Sequence, residues 1–241
     1  MAMDLGFSTN FDSEHVTSGS KGGKRKQETH LDLSGQGFGG HITFGIDTRT
    51  MIDRVGTNKV APRVGYGFNV GENVELSAGY QAYFLGHASS GKSQINEFRL
   101  SAATIHAIHP LNFAAVTLSA DAFFNVEERD FSACATLRRR VDLAVFGLDR
   151  CSLGNFVEIG FDHCARPGGS RDFFETVAQG DAVGHFYYNL GSRFTYAYAP
   201  NVSFHAGVRF AGNTASSRNW NNGCGQHNKL LWFSGGIESK F

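Results

Sequence analysis

The 241-residue chain contains no run of 18 or more apolar residues, so it has no segment able to cross a bilayer as a helix. Its apolar content of 41% is also low for a helical membrane protein. It lacks charge of one sign: Lys plus Arg equal Asp plus Glu at 22 each. No basic stripe interleaved with aromatic residues is present either, which argues against nucleic acid as a partner. Cysteine is sparse and unclustered, with Cys134, Cys151, Cys164 and Cys224 forming no C-x-x-C pair. Proline is held to four residues. The N-terminal stretch from Met1 to Phe7 has no positive region, apolar core or cleavage site, so it does not read as a signal peptide. The expectation is a mature form with a replacement start Met, or else an organellar protein that uses no cleaved signal.

Against these absences stand 30 Gly and 22 Phe, the composition of a β-rich chain with close backbone approaches. Apolar residues alternate with polar or tiny ones. Val64, Tyr66, Phe68 and Val70 are followed, after Gly71-Glu72-Asn73, by Val74, Leu76, Ala78, Tyr80, Ala82 and Phe84. That is a hairpin with one apolar and one polar face. The same period predicts twelve strands, at 2–11, 29–37, 40–49, 60–70, 73–85, 94–106, 112–124, 138–147, 155–164, 185–198, 201–211 and 229–241, within a single domain. Between Gly35 and Gly40 the period slips, as at a turn or a bulge. Connections after odd strands are long (12–28, 50–59, 86–93, 125–137, 165–184 and 212–228), and those after even strands are short.

The last strand carries Leu231, Phe233, Ile237 and Phe241 on one face, with Ser234, Glu238 and Lys240 between them. A terminal aromatic residue on an alternating strand, with about ten-residue strands and connections sorted by length, resembles the bacterial outer-membrane β-barrels of the porin-like kind. The fold so implied is all-β, an antiparallel up-and-down transmembrane barrel of about twelve strands in the bacterial outer membrane. Long loops would be extracellular and short turns periplasmic. The resemblance implies that Phe241 is an assembly signal read by the barrel-assembly machinery, and that outer-membrane lipid and lipopolysaccharide surround the barrel. Phe84, Phe124, Phe156, Tyr196, Tyr198, Phe210 and Phe241 are expected to form interfacial girdles.

In such a barrel the polar faces line the lumen. The expected pore-lining set is Arg63, Glu75, Glu97, Arg99, Asp121, Arg140, Asp142, Glu158, Asp162, Arg193, His205, Arg209 and Glu238, with Asp4, Asp32, Asp47 and Lys240 on the same faces. Carboxylates outnumber bases in this set, which points to a mild cation preference. Arg99, Arg140, Arg193 and Arg209 are able to pair with the carboxylates and close the lumen. Twelve strands lie between eight-stranded barrels filled by side chains and sixteen-stranded aqueous pores. The expected function is therefore passive diffusion of small hydrophilic solutes or ions. The alternative is a closed barrel acting through its loops as adhesin, receptor or antigen. In the connection 165–184, Asp172 and Glu175 suit a capping box beside Phe173, Phe174 and Val177, and a helix there is expected to fold inward as a constriction.

Several patterns mimic chemistry. Gly86 to Ser93 matches G-x-x-x-x-G-K-S, with Lys92 and Ser93 in the phosphate and magnesium positions. Ile95, Phe98, Ala102 and Ile105 after it have helical spacing, and Leu143 to Asp149 faintly resembles an accompanying acidic strand. The strand before it alternates Glu75, Ser77, Gly79 and Gln81, which a buried parallel strand does not, so the match is read as chance. Ser203-x-His205, with Asn189 or Glu238 as orienter, is read as lumen lining rather than catalytic machinery. His163-Cys164 with Cys224-x-x-His227, and His106-x-x-His109, are read as ordinary polar residues, so no metal or cofactor is expected. A disulfide between Cys134 and Cys164 at the barrel mouth and four free thiols stand as equal alternatives. Lys21, Lys24, Arg25 and Lys26 make the first loop basic, able to attract lipopolysaccharide phosphates but read chiefly as a solvated loop.

Overall fold

The computed structural model describes residues 3–12, 15–17, 20–23, 26–51, 59–85, 94–104, 108–111, 114–125, 130–163, 184–213 and 229–241. Twelve long strands close on themselves: β1 (Met3–Asp12), β2 (Lys26–Gly37), β3 (Gly40–Met51), β4 (Lys59–Val70), β5 (Val74–Leu85), β6 (Gln94–Thr104), β7 (Ala114–Asn125), β8 (Asp130–Asp142), β9 (Cys151–His163), β10 (Gly184–Ala199), β11 (Val202–Asn213) and β12 (Lys229–Lys240). Each pairs antiparallel with its sequence neighbours, and β1 pairs with β12, Gly6 opposite Lys240 and Asp12 opposite Ser234. A short hairpin of His15–Thr17 and Ser20–Gly23 lies between β1 and β2, and Ile108–Leu111 pairs with β7. A closed ladder leaves no sheet edge along the barrel, which is how an all-β wall satisfies its backbone.

The register sorts the side chains into two faces. Cross-strand partners such as Leu118 and Leu137, Val157 and Leu190, or Val208 and Phe233 are apolar and exposed on the outer face, whereas Asp12, Lys26, Asp121, Thr136, Ser152 and His205 are buried on the inner one. Buried apolar side chains are few, with Ala61, Ala211 and Trp232 among them. The barrel is thus apolar outside and polar inside, the reverse of a water-soluble domain. Outer aromatic residues gather toward the two ends: Phe11, Phe84, Phe124, Phe186 and Phe210 on the loop side, Phe68, Tyr196, Tyr198, Phe204 and Phe241 on the turn side. Phe156, expected in a girdle, faces inward. It shares its parity with Glu158 on β9, and period 2 alone puts both on one face.

The turns explain where the period breaks. Between β2 and β3 the chain reverses over Phe38-Gly39, both with positive φ (52° and 78°), and Gly37 pairs with Gly40. This is the two-residue hairpin geometry that matches strand twist, and Gly39 meets its demand without a Cβ. The β5 strand and its successor β6 are antiparallel neighbours, with Val74 opposite Thr104, so the segment after Gly86–Ser93 is a strand and not the helix a phosphate loop requires. Residues 86–93 themselves lie outside the described residues.

One strand boundary is corrected. β8 spans Asp130–Asp142, not 138–147, and most of the stretch 125–137 expected as a loop is therefore ladder. The outward residues there, Ala133 and Ala135, are too small to mark a strand by hydrophobicity. Leu143–Phe146 is a 3-10 turn instead, capped by Asp142, whose carboxylate accepts from the Ala144 amide at 3.0 Å, and ended by Gly147 at φ 81°. Cys134 consequently lies within β8 opposite Gly160 and is a free thiol, not half of a bridge at the mouth. Cys151 opens β9 and is likewise free. Lys26 belongs to β2 and is buried, rather than part of a solvated loop cluster. Cys164, Cys224, Lys24, Arg25, His106 and His227 lie outside the described residues, as do Asp172, Phe173, Phe174, Glu175 and the rest of the expected constriction.

Candidate functional site: the lumen wall

Alternation alone carries polar side chains from every strand to the inner face. On β1 to β7 they form an ionic lattice of several paired clusters. Lys26 Nζ bridges Asp12 (3.2 Å) and Glu28 (2.9 Å), and Glu28 also accepts from Arg49 Nε at 2.6 Å. Arg63 lies between Asp32 and Asp47, donating to Asp32 Oδ1 through Nη2 and to Asp47 Oδ1 through Nε at 3.2 Å. Asp47 further engages His30 Nδ1 (2.7 Å) and accepts from Gln81 Nε2 (2.7 Å). Tyr83 extends the chain by donating to Glu97 at 2.9 Å, under a Lys59 ammonium 3.6 Å above its ring. Arg99 Nη2 reaches Asp121 at 2.7 Å, where the Ser101 hydroxyl also donates. His41 Nε2 lies 3.7 Å from Glu75.

Local sequence makes room for these groups. Arg63 stands directly opposite Gly45 in the β3–β4 ladder, and a Cβ on Gly45 would sit 2.8 Å from Arg63 Nε. Tyr187 lies across Gly160 in the same way, its ring 2.4 Å from where a Cβ would be. A wide side chain lying flat against the wall needs a neighbour with none.

The wall formed by β8 to β12 is built differently. Arg193 Nη2 donates to Glu238 at 2.8 Å and approaches His205 Nδ1 at 2.9 Å, and His205 Nε2 lies 2.5 Å from Asn10 Oδ1. Since a guanidinium only donates and an amide oxygen only accepts, this assigns a neutral His205 with the proton on Nε2. Ser203 makes no hydrogen bond to His205 among the described residues, so nucleophile and base are not assembled. Arg138 donates to Ser119 at 3.1 Å, and the Arg209 guanidinium lies 5.5 Å from the Phe156 ring centre. Arg138, Arg140, Arg150 and Arg209 have no carboxylate within 4 Å among the described residues. They line a cavity of about 960 Å³ toward the turn end, with Asp142, Asp149, Glu158, Arg193 and Glu238 also on its wall.

The register therefore puts all the expected lumen residues on the inner parity, Asp162 by backbone position alone, opposite Ser132 and His185. It joins Arg63, Arg99 and Arg193 to carboxylates and leaves Arg140 and Arg209 without one among the described residues. Asn10, Lys26, Glu28, His30, Arg49, Lys59, Tyr83 and Arg138 were missed. Each has the parity of a residue that was named, as Arg49 has that of Asp47. Among the described residues no three His, Cys, Asp or Glu side chains are grouped to hold a metal ion.

The closed twelve-stranded antiparallel barrel is the fold of solved bacterial outer-membrane porins and channels, and this chain has that fold. Its solved structural neighbours include the KdgM porin in complex with disordered oligogalacturonate, 9% identical with a TM-score of 0.52, covering 99% of both chains. The NanC porin is 10% identical with a TM-score of 0.53 over 100% of both chains. An outer membrane channel from Pseudomonas putida F1 is 11% identical with a TM-score of 0.53, covering 99% of this chain and 94% of that one. No protein-family model and no curated protein matches the chain.

Proposed function

We propose that this protein is an outer-membrane channel through which small hydrophilic solutes or ions diffuse passively along a charged lumen. The observation that carries the reading is the cavity of about 960 Å³ inside the barrel, lined by polar and charged side chains from β8 to β12. An interior held only for stability has no need of uncompensated cations, which cost free energy wherever water is excluded. Selection in such a passage comes from width and lining charge, with no chemical step. The fold shared with porins supports an outer-membrane location. The exposed apolar band supports lipid and lipopolysaccharide as its surroundings, and the outward ring of Phe241 supports a role in recognition by the barrel-assembly machinery.

A second reading, a closed barrel acting through its loops as adhesin, receptor or antigen, is favoured by the ionic lattice of β1 to β7, which fills part of the lumen with paired side chains. Planar-bilayer recording separates the two. Discrete unit currents from purified, refolded protein support the channel, and a correctly folded barrel that gives none supports the sealed alternative. The segment holding Asp172, Phe173, Phe174 and Glu175 belongs to the channel proposal as a constriction, and deletion of residues 168–180 is expected to raise unit conductance.

A further inference from the structure

A count of inward charges favours cations, but pairing reverses the balance. On the β1 to β7 wall Asp12, Glu28, Asp32, Asp47 and Asp121 each have a Lys or Arg within 3.2 Å, and their charge is largely cancelled within the wall. At the turn end the reverse holds. The cavity wall carries seven cations, six arginines and Lys240, against the four carboxylates of Asp142, Asp149, Glu158 and Glu238, and Glu238 is held by Arg193. Four guanidinium groups, Arg138, Arg140, Arg150 and Arg209, line the same space with no carboxylate within 4 Å among the described residues, Glu158 acting on Arg138 only at longer range.

Two of these groups are positioned. Arg138 is tethered by Ser119, and Arg209 crosses Gly191 to bring its guanidinium over the Phe156 ring, a contact that engages no carboxylate. A planar fork of donors matches the two oxygens of a carboxylate or a phosphate. A concave wall of one sign concentrates counter-ions within it.

We infer that Arg138, Arg140, Arg150 and Arg209 form an oxyanion site at the turn end of the lumen, and that the channel passes small carboxylates and phosphates in preference to cations. The selectivity rests on the channel reading above; the site itself does not.

The test uses the full chain in planar bilayers under a KCl gradient, together with calorimetric titration of inorganic phosphate into the detergent-refolded protein. The wild type is expected to give a reversal potential of the anion-selective sign and a saturable phosphate heat. In the triple variant R138Q/R140Q/R209Q both are lost, whereas R138K/R140K/R209K keeps the sign of the potential and proves the positions tolerate change. A cation-selective or unselective wild type overturns the selectivity, as does a Gln triple variant that behaves like wild type. Absence of current from folded protein overturns the channel reading instead, and the phosphate titration then decides the site alone: a heat present in wild type and lost in the Gln variant supports it, and no heat in wild type overturns it.

Discussion

His205 on β11 reaches past β12 to Asn10 on β1, its Nε2 lying 2.5 Å from the amide oxygen. The ring passes over Gly236, where a Cβ would stand 2.9 Å from it. The strand that intervenes thus carries no side chain at the crossing, and a bond between residues 195 positions apart spans the β1–β12 seam. Through Nδ1 the same imidazole meets Arg193, which holds Glu238.

Removing either end of this contact leaves a polar partner unsatisfied, the buried His205 or the half-buried Asn10. Asn10→Ala and His205→Ala are each expected to lower stability by about 1–3 kcal/mol, the cost of stranding a polar group. Urea titration of the refolded barrel checks this, and a double-mutant cycle should show that the two losses are not additive. Additive losses would mean that the residues act separately.

Arg63 holds two carboxylates, so its loss strands more charge than the loss of either partner. Because these side chains are about one-third exposed or less (Arg63 31%, Asp32 36%, Asp47 21%), solvent screens part of the effect. Arg63→Gln is expected to cost ~1–2 kcal/mol, less than a fully buried pair would. The penalty should shrink as KCl is added, because salt screens the repulsion between Asp32 and Asp47. A penalty unaffected by salt would assign it to packing.

Leu100 sits near the middle of β6 on the outer face and is 63% exposed. If that face meets hydrocarbon, Leu100→Arg costs about 2–4 kcal/mol in a bilayer, and little if the face meets water. Refolding into liposomes, followed across a denaturant series, measures the difference. A neutral result would remove the lipid-facing assignment.

Gly160→Val drives a side chain into the Tyr187 ring, whose atoms approach to 2.4 Å of the Cβ position. The expected loss is ~1–3 kcal/mol, typical of overpacking. Tyr187→Ala in the same chain should recover part of it, which thermal unfolding would show. Absence of recovery would locate the strain in the backbone.

Phe241 ends the outward row of β12, with its backbone paired to Leu5 in both directions (2.8 and 2.9 Å) and its ring 68% exposed. The backbone bonds survive Phe241→Ala, so stability in detergent should change little. Insertion in an exporting bacterium should fall, as quantified by membrane fractionation. Equal membrane levels would show that assembly does not read the ring.

The strands were legible wherever large apolar residues alternate, as along β4 and β5, because period 2 is imposed by the pleat itself. β8 was not, because Ala133, Cys134, Ala135 and Thr136 give neither face a hydrophobic signature and Arg138-Arg139-Arg140 breaks the polar alternation. Parity also fixed which residues face inward, even for Phe156, where the expectation of a girdle ran against it. What sequence could not supply was the partner of each charge. Arg63 meets Asp32 and Asp47 because the β2–β3 and β3–β4 registers bring positions 32, 47 and 63 side by side, and those registers follow from turns such as Phe38-Gly39. Unpaired Arg140 and paired Arg99 are indistinguishable in one dimension.

The ladder between β1 and β12 sets the order of events in folding. Every other pair in the wall joins neighbours in sequence, so each hairpin closes a far smaller loop than the seam does. The seam joins Gly6 to Lys240 and bears the largest closure entropy of the molecule. Until it forms, β1 and β12 are open edges able to recruit a foreign strand. The vulnerable species is thus a nearly complete sheet, and the hydrogen bonds of a single ladder decide whether it becomes a barrel or an aggregate.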